Sequence, residues 1–462
     1  MQDIVTGLEE LLGPEVVTRA GDVPEAYRHD WSGLTPVEPL ALLRPRDTAG
    51  VSAALRFCNE HGVGVVPQGG RSGISGGAMP VAGAVVLSLD RLNQIEEVDP
   101  QMATLTCGAG VVLEKAQQAA VEAGLMLAVD LGARGSCTVG GVISTNAGGN
   151  QVIRYGMARE HVLGLEVVLA DGTVITALNK MLKNNAGLDL KQMFIGTEGL
   201  LGVVTRAVMR LQPRPPHTAT AFLGLADTAA VIDMLARARA ALGPQLTSFE
   251  VMWPSFFHHM SEGTGIGSPL TGRHGVYVVI EASGFAEGGA RAALETCLEA
   301  ALEAGTVEDA VIAANSREER GLWAVRESVA EFARVVGPII AFDVGLPLMR
   351  MDEAVRRCES GIAERWPGAL ALSYGHIGDS NLHLVVSVPS AGKNQPESEV
   401  KKLVYGIVRE MAGTISAEHG IGLIKRDYLA YSRSPEEIAT MRAVKAALDP
   451  KGILNPGKVL SP

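Results

Sequence analysis

Residues 62–77, GVGVVPQGGRSGISGG, decide the fold. Val63 to Val66 form a short apolar strand that runs straight into Gly69, Gly70, Gly73, Gly76 and Gly77. Glycine has no β-carbon, so such a loop lets backbone N–H groups come close to a phosphate. No Gly-Lys-Ser/Thr follows, which excludes a Walker loop, and the spacing departs from the G-x-G-x-x-G turn of a Rossmann unit. The plainer alternative is a flexible surface loop. A second stretch, LGARGSCTVGGVISTNAGGNQVIRYG at 131–156, weighs against that alternative. Its glycines are interleaved with Ser136, Thr138, Ser144, Thr145 and Asn146, and small polar side chains beside open N–H groups suit a long phosphate-bearing ligand. A third small-residue segment, FIGTEGLLGVVT at 194–205, leads into an apolar strand.

Composition sets the bounds around this frame. The 462 residues suffice for two or three domains. With 47% apolar and 20% charged residues, a packed globular protein is expected. A net charge of -11 argues against a nucleic-acid or anionic-membrane surface. The five cysteines are scattered without a C-x-x-C pair, so neither a disulfide framework nor a thiolate metal site is suggested. The N-terminus shows no basic-then-apolar leader, and no run of about 18 apolar residues is present. A soluble, cytoplasmic protein is the expectation.

Periodicity gives the elements. Ile4, Leu8, Leu11 and Leu12 mark one helix and Val51, Leu55 and Cys58 a second, closed by Gly62. Ala84 to Leu89 and Ala103 to Cys107 are predicted strands, and Val167 to Thr176 a hairpin turned at Asp171-Gly172. Pro213, Pro215 and Pro216 mark a boundary. Three strand-helix-strand blocks follow and deliver the chain to His376. They predict an α+β domain, an antiparallel sheet with helices on one face. His258-His259 is expected in a solvated loop, and His161 in a local structural role. A final helix opens with Ser434, Pro435 and Glu437. Its expected buried stripe is Ile438, Met441, Val444 and Leu448. The polar tail after it, LNPGK, needs a partner to be ordered.

The chemistry concentrates in Tyr374–His383, YGHIGDSNLH, and in SAEHGIG at 416–422. Two imidazoles and a carboxylate, His376, His383 and Glu418, match the three protein ligands and open position of a catalytic zinc-type site. His419, beside the carboxylate, is a candidate base. A lone buried histidine is more often a hydrogen-bonded core residue, and a lone helical arginine such as Arg326 more often a surface ion-pair partner. The motifs in combination change that balance.

Taken in order, PQGGRSGISGG, GSCTVGG with TNAGG, FIGTEGLLGVVT, LWAVRES, GHIGDSNLH, AEHGIG and LDPKGILNPGK span nearly the whole chain. They resemble the FAD-dependent D-2-hydroxy-acid dehydrogenases of the vanillyl-alcohol-oxidase superfamily. That group includes D-lactate dehydrogenases, D-2-hydroxyglutarate dehydrogenases and the flavin subunit of glycolate oxidase. The resemblance implies a VAO/PCMH-type FAD-binding domain over 1–215, built of two α+β subdomains. A substrate or cap domain with an antiparallel sheet follows over 216–410, and 411–462 returns to the FAD domain. It implies that Pro67, Gln68, Gly69, Gly70, Arg71, Ser72, Gly73, Ile74, Ser75, Gly76 and Gly77 surround the FAD diphosphate. Gly135, Ser136, Gly140, Gly141, Ser144, Asn146, Ala147 and Gly149 would form a second wall. Glu198, Gly202, Val203 and Val204 would lie near the adenosine end, with Asn455 as the C-terminal contact. Some relatives attach the flavin through a histidine of the first loop. Here that loop has no His or Cys, so a non-covalent FAD is implied. His376, His383 and Glu418 resemble ligands of a divalent metal, zinc or alternatively manganese. His419 resembles the base and Arg326 the clamp for the substrate carboxylate; Tyr374 is a candidate to line the pocket, with core packing the equal alternative.

The departures bear on substrate. Hydroxyglutarate members carry a threonine, a lysine and an asparagine where this chain has Ala330, Ala341 and Val385. A distal carboxylate buried there would lack partners, at a cost of about several kcal/mol. The expectation is therefore a D-2-hydroxy acid with an apolar side chain: lactate, a longer homologue, or an aromatic acid such as mandelate or phenyllactate. D-2-hydroxyglutarate or glycolate oxidation is the alternative within the group. A non-redox transferase like alkyl-dihydroxyacetone-phosphate synthase is the alternative outside it, although no basic phosphate pocket is evident. The electron acceptor implied is an electron-transfer flavoprotein, a quinone or a cytochrome, and a homodimer is compatible with the pattern.

Overall fold

The computed structural model describes residues 4–461. The chain divides into two units. The first holds the residues up to Gly149, Tyr155–Arg214 and the segment from Glu418 onward; the second holds Asn150–Arg154 and Pro215–Ala417.

The strands of the first unit are β1 (Val17–Arg19), β2 (Ala41–Leu43), β3 (Val65–Gln68), β4 (Val85–Ser88), β5 (Ile95–Asp99), β6 (Thr104–Gly108), β7 (Leu125–Met126), β8 (Val162–Val168), β9 (Val174–Ala177), β10 (Val203–Arg210) and β11 (Gln212–Pro213). One sheet runs β1-β2-β4-β3, with β4 parallel to β2 and β3; a second runs β5-β6-β10-β8-β9, all antiparallel; and β11 pairs antiparallel with β7. Between β2 and β3 lies the predicted helix Thr48–His61. Asp47 Oδ1 accepts from Gly50 N at 2.8 Å to start it, and Gly62 at φ +65° ends it. Leu43, Val65 and Leu87 of the first sheet share one core with Leu105, Val167 and Ala207 of the second. The β8–β9 hairpin turns at Asp171-Gly172 as expected, with Asp171 Oδ1 accepting from Thr173 N. The second glycine stretch is not all loop: Val139–Thr145 is a short helix capped by Thr138.

The C-terminal tail finds its partner in β3. Val65 N donates to Ile453 O at 2.7 Å and Asn455 N to Val65 O at 2.8 Å, so the tail adds to the open edge of the parallel sheet. Asp449 holds the turn by accepting from Ile453 N and Leu454 N. The preceding helix Pro435–Leu448 carries the predicted capping box, Ser434 with Glu437. Its stripe of Ile438, Met441, Val444 and Leu448 is only half-buried, contrary to expectation, because the helix lies on the surface with no fully buried residue.

The second unit is one seven-stranded antiparallel sheet. Its strands are β12 (His217–Leu225), β13 (Leu246–Met252), β14 (Val276–Gly284), β15 (Asp309–Ile312), β16 (Ile340–Gly345), β17 (Leu370–Gly375) and β18 (Asn381–Ser387), in the order β15-β12-β14-β13-β17-β18-β16. Side chains alternate between its faces. Phe222, Tyr277, Val279, Met252, Leu372, Tyr374 and Val385 lie on one face, under Phe256, Phe257 and Met260 of the helix Pro254–Thr264 and Leu322 and Val325 of the helix Ser316–Glu327. Leu223, Val278, Ile280, Phe249 and Val251 point the other way and are also buried. There the helices Thr228–Leu242 and Gly289–Glu303 pack together against β12 and β14. Helices thus cover both faces, not one. The physical reason is that strands such as β12 and β14 bury apolar residues at both parities and need cover on both sides. His258 and His259 are half-buried on the helix Pro254–Thr264, not in a solvated loop, with His258 edge-on to Tyr277.

His161 ends a short helix and is buried in the first unit. Burial pushes its imidazole down to about 4. The folded chain then keeps it neutral where the unfolded chain binds a proton. Stability is lost as pH falls from the unfolded value near 6.5 toward 4, by up to about 1.4 kcal/mol per pH unit. His161→Leu is expected to narrow the gap in urea midpoint between pH 7.5 and pH 4.5. An unchanged gap would show that His161 is not a source of the acid sensitivity.

Candidate active site

In the first unit the two glycine-rich stretches pack directly on each other. A β-carbon on Gly70 would lie 2.0 Å from Ser136 O, and one on Gly69 would lie 2.4 Å from Thr138 Oγ1. Only glycine permits that approach. Gln68, at the end of β3, donates from Nε2 to Tyr27 O and Ala78 O. Arg71, at φ 59°, donates to Gly69 O and lies over the Tyr27 ring at 4.4 Å. Ser75 donates to Gly420 O. Ser72, Gly73 and Ile74 form the outer, more exposed turn of the loop, while Gly76 and Gly77 close it.

Glu198, also at positive φ, accepts from Ile421 N at 2.7 Å and Gly422 N at 2.9 Å, so it ties the 420–422 loop in place. Asn455 Nδ2 donates to Gly77 O at 3.0 Å and Glu198 O at 2.7 Å, which joins the first loop, Glu198 and the C-terminal tail. On the second wall, Ser144 donates to Gly140 O and Asn146 accepts from Arg159 N, both internal bonds. Ala147 N returns to Val142 O, and Gly149 passes so near Asp130 O that a β-carbon would sit 1.7 Å away. Gly135 and Ser136 occupy the turn before this wall, while Gly202, Val203 and Val204 lead into β10. Three buried polar atoms here have no hydrogen-bond partner among the described residues: Gln68 Oε1, Asn455 Oδ1 and Lys458 Nζ. Orphaned buried groups beside a glycine-walled cradle fit a large polar cofactor. Lys458 had no role in the sequence reading. Burial draws its ammonium down to about 7, against the pull of Asp30 and Glu198.

In the second unit the focus is Glu250, in the middle of β13 and 1% exposed. Its Oε1 lies 2.7 Å from His376 Nδ1. Its Oε2 accepts from Arg326 Nε at 2.9 Å and lies 2.8 Å from Nη2. Burial opposes that charge, but His376 and Arg326 outweigh it and hold the carboxyl below the usual carboxylate range. Arg326 reaches the site from the helix Ser316–Glu327, which Asn315 caps by accepting from Arg317 N and Glu318 N. Its guanidinium lies over the Tyr374 ring at 4.9 Å.

His383 stands on β18 between Tyr374 of β17 and Asp343 of β16. The His376 and His383 rings are 5.2 Å apart and near perpendicular, with ligand nitrogens within 4.8 Å of each other. That pair can converge on one cation. Two residues along β18, Val385 pairs with Ala341 and is buried in the apolar cluster. Ala341 and Ala330 are exposed, Ala330 on the turn Ser328–Glu331. Glu418 and His419 follow Ala417 directly, at the point where the chain leaves the second unit. Ala417 N donates to Asp343 O, and Ser416 Oγ to Asp343 Oδ2. Glu250 and Asp343 were missed in the sequence reading. The available signal was a carboxylate inside a predicted strand, flanked by apolar residues on both sides in each case. Asn381, two residues before His383, is buried with neither side-chain polar atom partnered among the described residues.

Residues 39–178 match the model of an FAD binding domain, and residues 214–459 match that of the C-terminal domain of FAD linked oxidases. Together they define an FAD-linked oxidoreductase. The chain is 39% identical over 460 residues to the mitochondrial D-2-hydroxyglutarate dehydrogenase of Bos taurus, covering 99% of this chain and 84% of that one. It is 36% identical over 462 residues to the D-2-hydroxyglutarate dehydrogenase of Stutzerimonas stutzeri (strain A1501), covering 99% of each. Its fold is that of p-cresol methylhydroxylase, with a TM-score of 0.80 at 18% identity over 99% of this chain and 96% of that one. The chain belongs to the FAD-dependent D-2-hydroxy-acid dehydrogenase family. Among the described residues, no helix is long and apolar enough to cross a membrane.

The Gly70 contact is directly testable. Gly70→Ala is expected to force the two glycine stretches apart and to weaken flavin affinity by about tenfold or more, roughly 1.4 kcal/mol, so that less flavin stays bound per chain. The flavin-to-protein absorbance ratio after gel filtration measures it. Retention of full flavin by this variant would remove the close approach from the account.

Proposed function

We propose that this chain oxidises a D-2-hydroxy acid with an apolar side chain to the 2-oxo acid. The observation that carries the substrate reading is Val385. It is buried among Leu372, Tyr374 and Phe332, pairs with Ala341, and stands on the same strand face as His383. An aliphatic or aromatic side chain would meet apolar atoms there, and the side chains of Val385 and Ala341 offer a second carboxylate no donor.

Arg326 binds the carboxylate next to C2 by a charge-assisted pair and so selects the face of C2 presented for oxidation. His419 takes the hydroxyl proton. His376, His383 and Glu418 would hold a divalent cation, whose chemistry when bound is to lower the pKa of a coordinated hydroxyl. FAD, held by the first loop, the second wall and Asn455, supplies the two-electron acceptor. A second reading, D-2-hydroxyglutarate as substrate, is favoured by the names of the relatives.

Anaerobic flavin bleaching separates the two. D-lactate, D-2-hydroxybutyrate, D-mandelate and D-phenyllactate are expected to bleach the flavin fast, their L-forms slowly, and a chelator to stop the reaction. D-2-hydroxyglutarate is expected to react about 100-fold more slowly per unit concentration, the effect of roughly 3 kcal/mol for an unpaired buried charge. Comparable bleaching by D-2-hydroxyglutarate would favour the second reading. The triple change Ala330→Thr, Ala341→Lys and Val385→Asn is expected to raise the rate with the dicarboxylic acid and depress that with the apolar acids.

A further inference from the structure

The roles above leave Glu250 unassigned, although it is buried and pairs with both Arg326 and His376. Its neighbours on β13 are Phe249, Val251 and Met252, and nothing in the sheet itself calls for a charge at that position. A carboxylate taken fully out of water costs several kcal/mol unless paired, so its retention there needs its two partners. We propose that Glu250 is the positioning residue of the active site, setting at once the ring nitrogen that His376 offers to a divalent cation and the edge that Arg326 offers to the substrate carboxylate. This deepens the reading proposed above and rests on it.

The argument is one of donors and acceptors. An ionised carboxylate only accepts, so at 2.7 Å from Oε1 the His376 Nδ1 must carry the proton. A neutral imidazole then has its lone pair on Nε2, the state that ligates a metal. Arg326 Nη2, a donor only, approaches that same Nε2 at 3.5 Å, which agrees with the tautomer. On the arginine, Nε and Nη2 face Oε2, and the guanidinium carbon lies over the Tyr374 ring. One edge and one face are thereby occupied, and the Nη1 end is left to meet an incoming carboxylate. A single oxygen pair of Glu250 therefore couples metal affinity to substrate affinity. Outer partners of this kind are worth roughly 10- to 100-fold in metal binding.

The test uses the flavin-loaded protein, stripped of metal and titrated with zinc against a chromophoric chelator. Glu250→Gln is expected to weaken zinc binding by about 10- to 100-fold. KM for the apolar D-2-hydroxy acid should rise by about tenfold, from a misdirected Arg326, while the flavin ratio and circular dichroism stay unchanged. Glu250→Asp, which keeps the charge one carbon shorter, is expected to lie between the two. Zinc affinity equal to wild type in Glu250→Gln overturns the positioning role. If that variant fails to fold, Glu250→Asp decides: wild-type affinity and KM overturn the role, and intermediate values support it. A wild-type protein that binds no divalent cation overturns the metal reading first and this inference with it, and that outcome is visible before any variant is made.

Discussion

A single buried negative charge organises the second unit of this protein. Glu250 has left water almost completely and is held by one arginine and one histidine, at 2.8 and 2.7 Å. Ion pairs at this depth gain little net stability, because desolvation offsets the attraction, but losing one partner strands the other at a cost of about 3–5 kcal/mol. The consequence is geometric. The helix Ser316–Glu327, strand β13 and the turn after β17 cannot shift relative to one another without breaking the cluster, since Arg326, Glu250 and His376 come one from each. The seven-stranded sheet, with apolar cover on both faces, supplies the rigid floor that makes this precision affordable.

The first unit solves a different problem with different means. It must bring backbone close to backbone while leaving polar groups for a large ligand. Gly69 and Gly70 admit the second glycine stretch at distances no β-carbon would tolerate. Glu198 and Asn455 then knot the first loop to the 420–422 segment and to the tail, using backbone partners throughout. The tail is ordered because β3 is an open parallel edge, and an unpaired edge accepts an added strand. The cradle is thus built from three distant parts of the chain, and the buried Gln68, Asn455 and Lys458 still carry unpaired polar atoms into it.

Much of this was legible beforehand. The helix Thr48–His61, the β8–β9 hairpin and the capping box at Ser434 follow from local rules, and the structure has all three. The mixed helix-and-sheet architecture with an antiparallel sheet also agrees. The misreadings share one cause: they concern what lies on top of an element. Helices on both faces of the sheet, the half-buried stripe of Pro435–Leu448 and the helical setting of His258-His259 all depend on packing partners far away in sequence. Periodicity shows that a residue has an apolar side without saying what meets it.

Local order along the chain determined the glycine stretches and the histidine pair at 376 and 383, whereas the arginine at 326 and the apolar residues at 330, 341 and 385 stood out only through the resemblance to a family. These are statements about residue type and spacing, and no fold is needed to make them. Tertiary structure alone decided that Glu250, 76 residues before Arg326 and 126 before His376, is the partner of both. A charge inside an apolar strand is visible in sequence as an anomaly. Which groups pair with it depends on the register of β13 against its neighbours and on the angle of one helix, and both are set by the packing of the whole sheet.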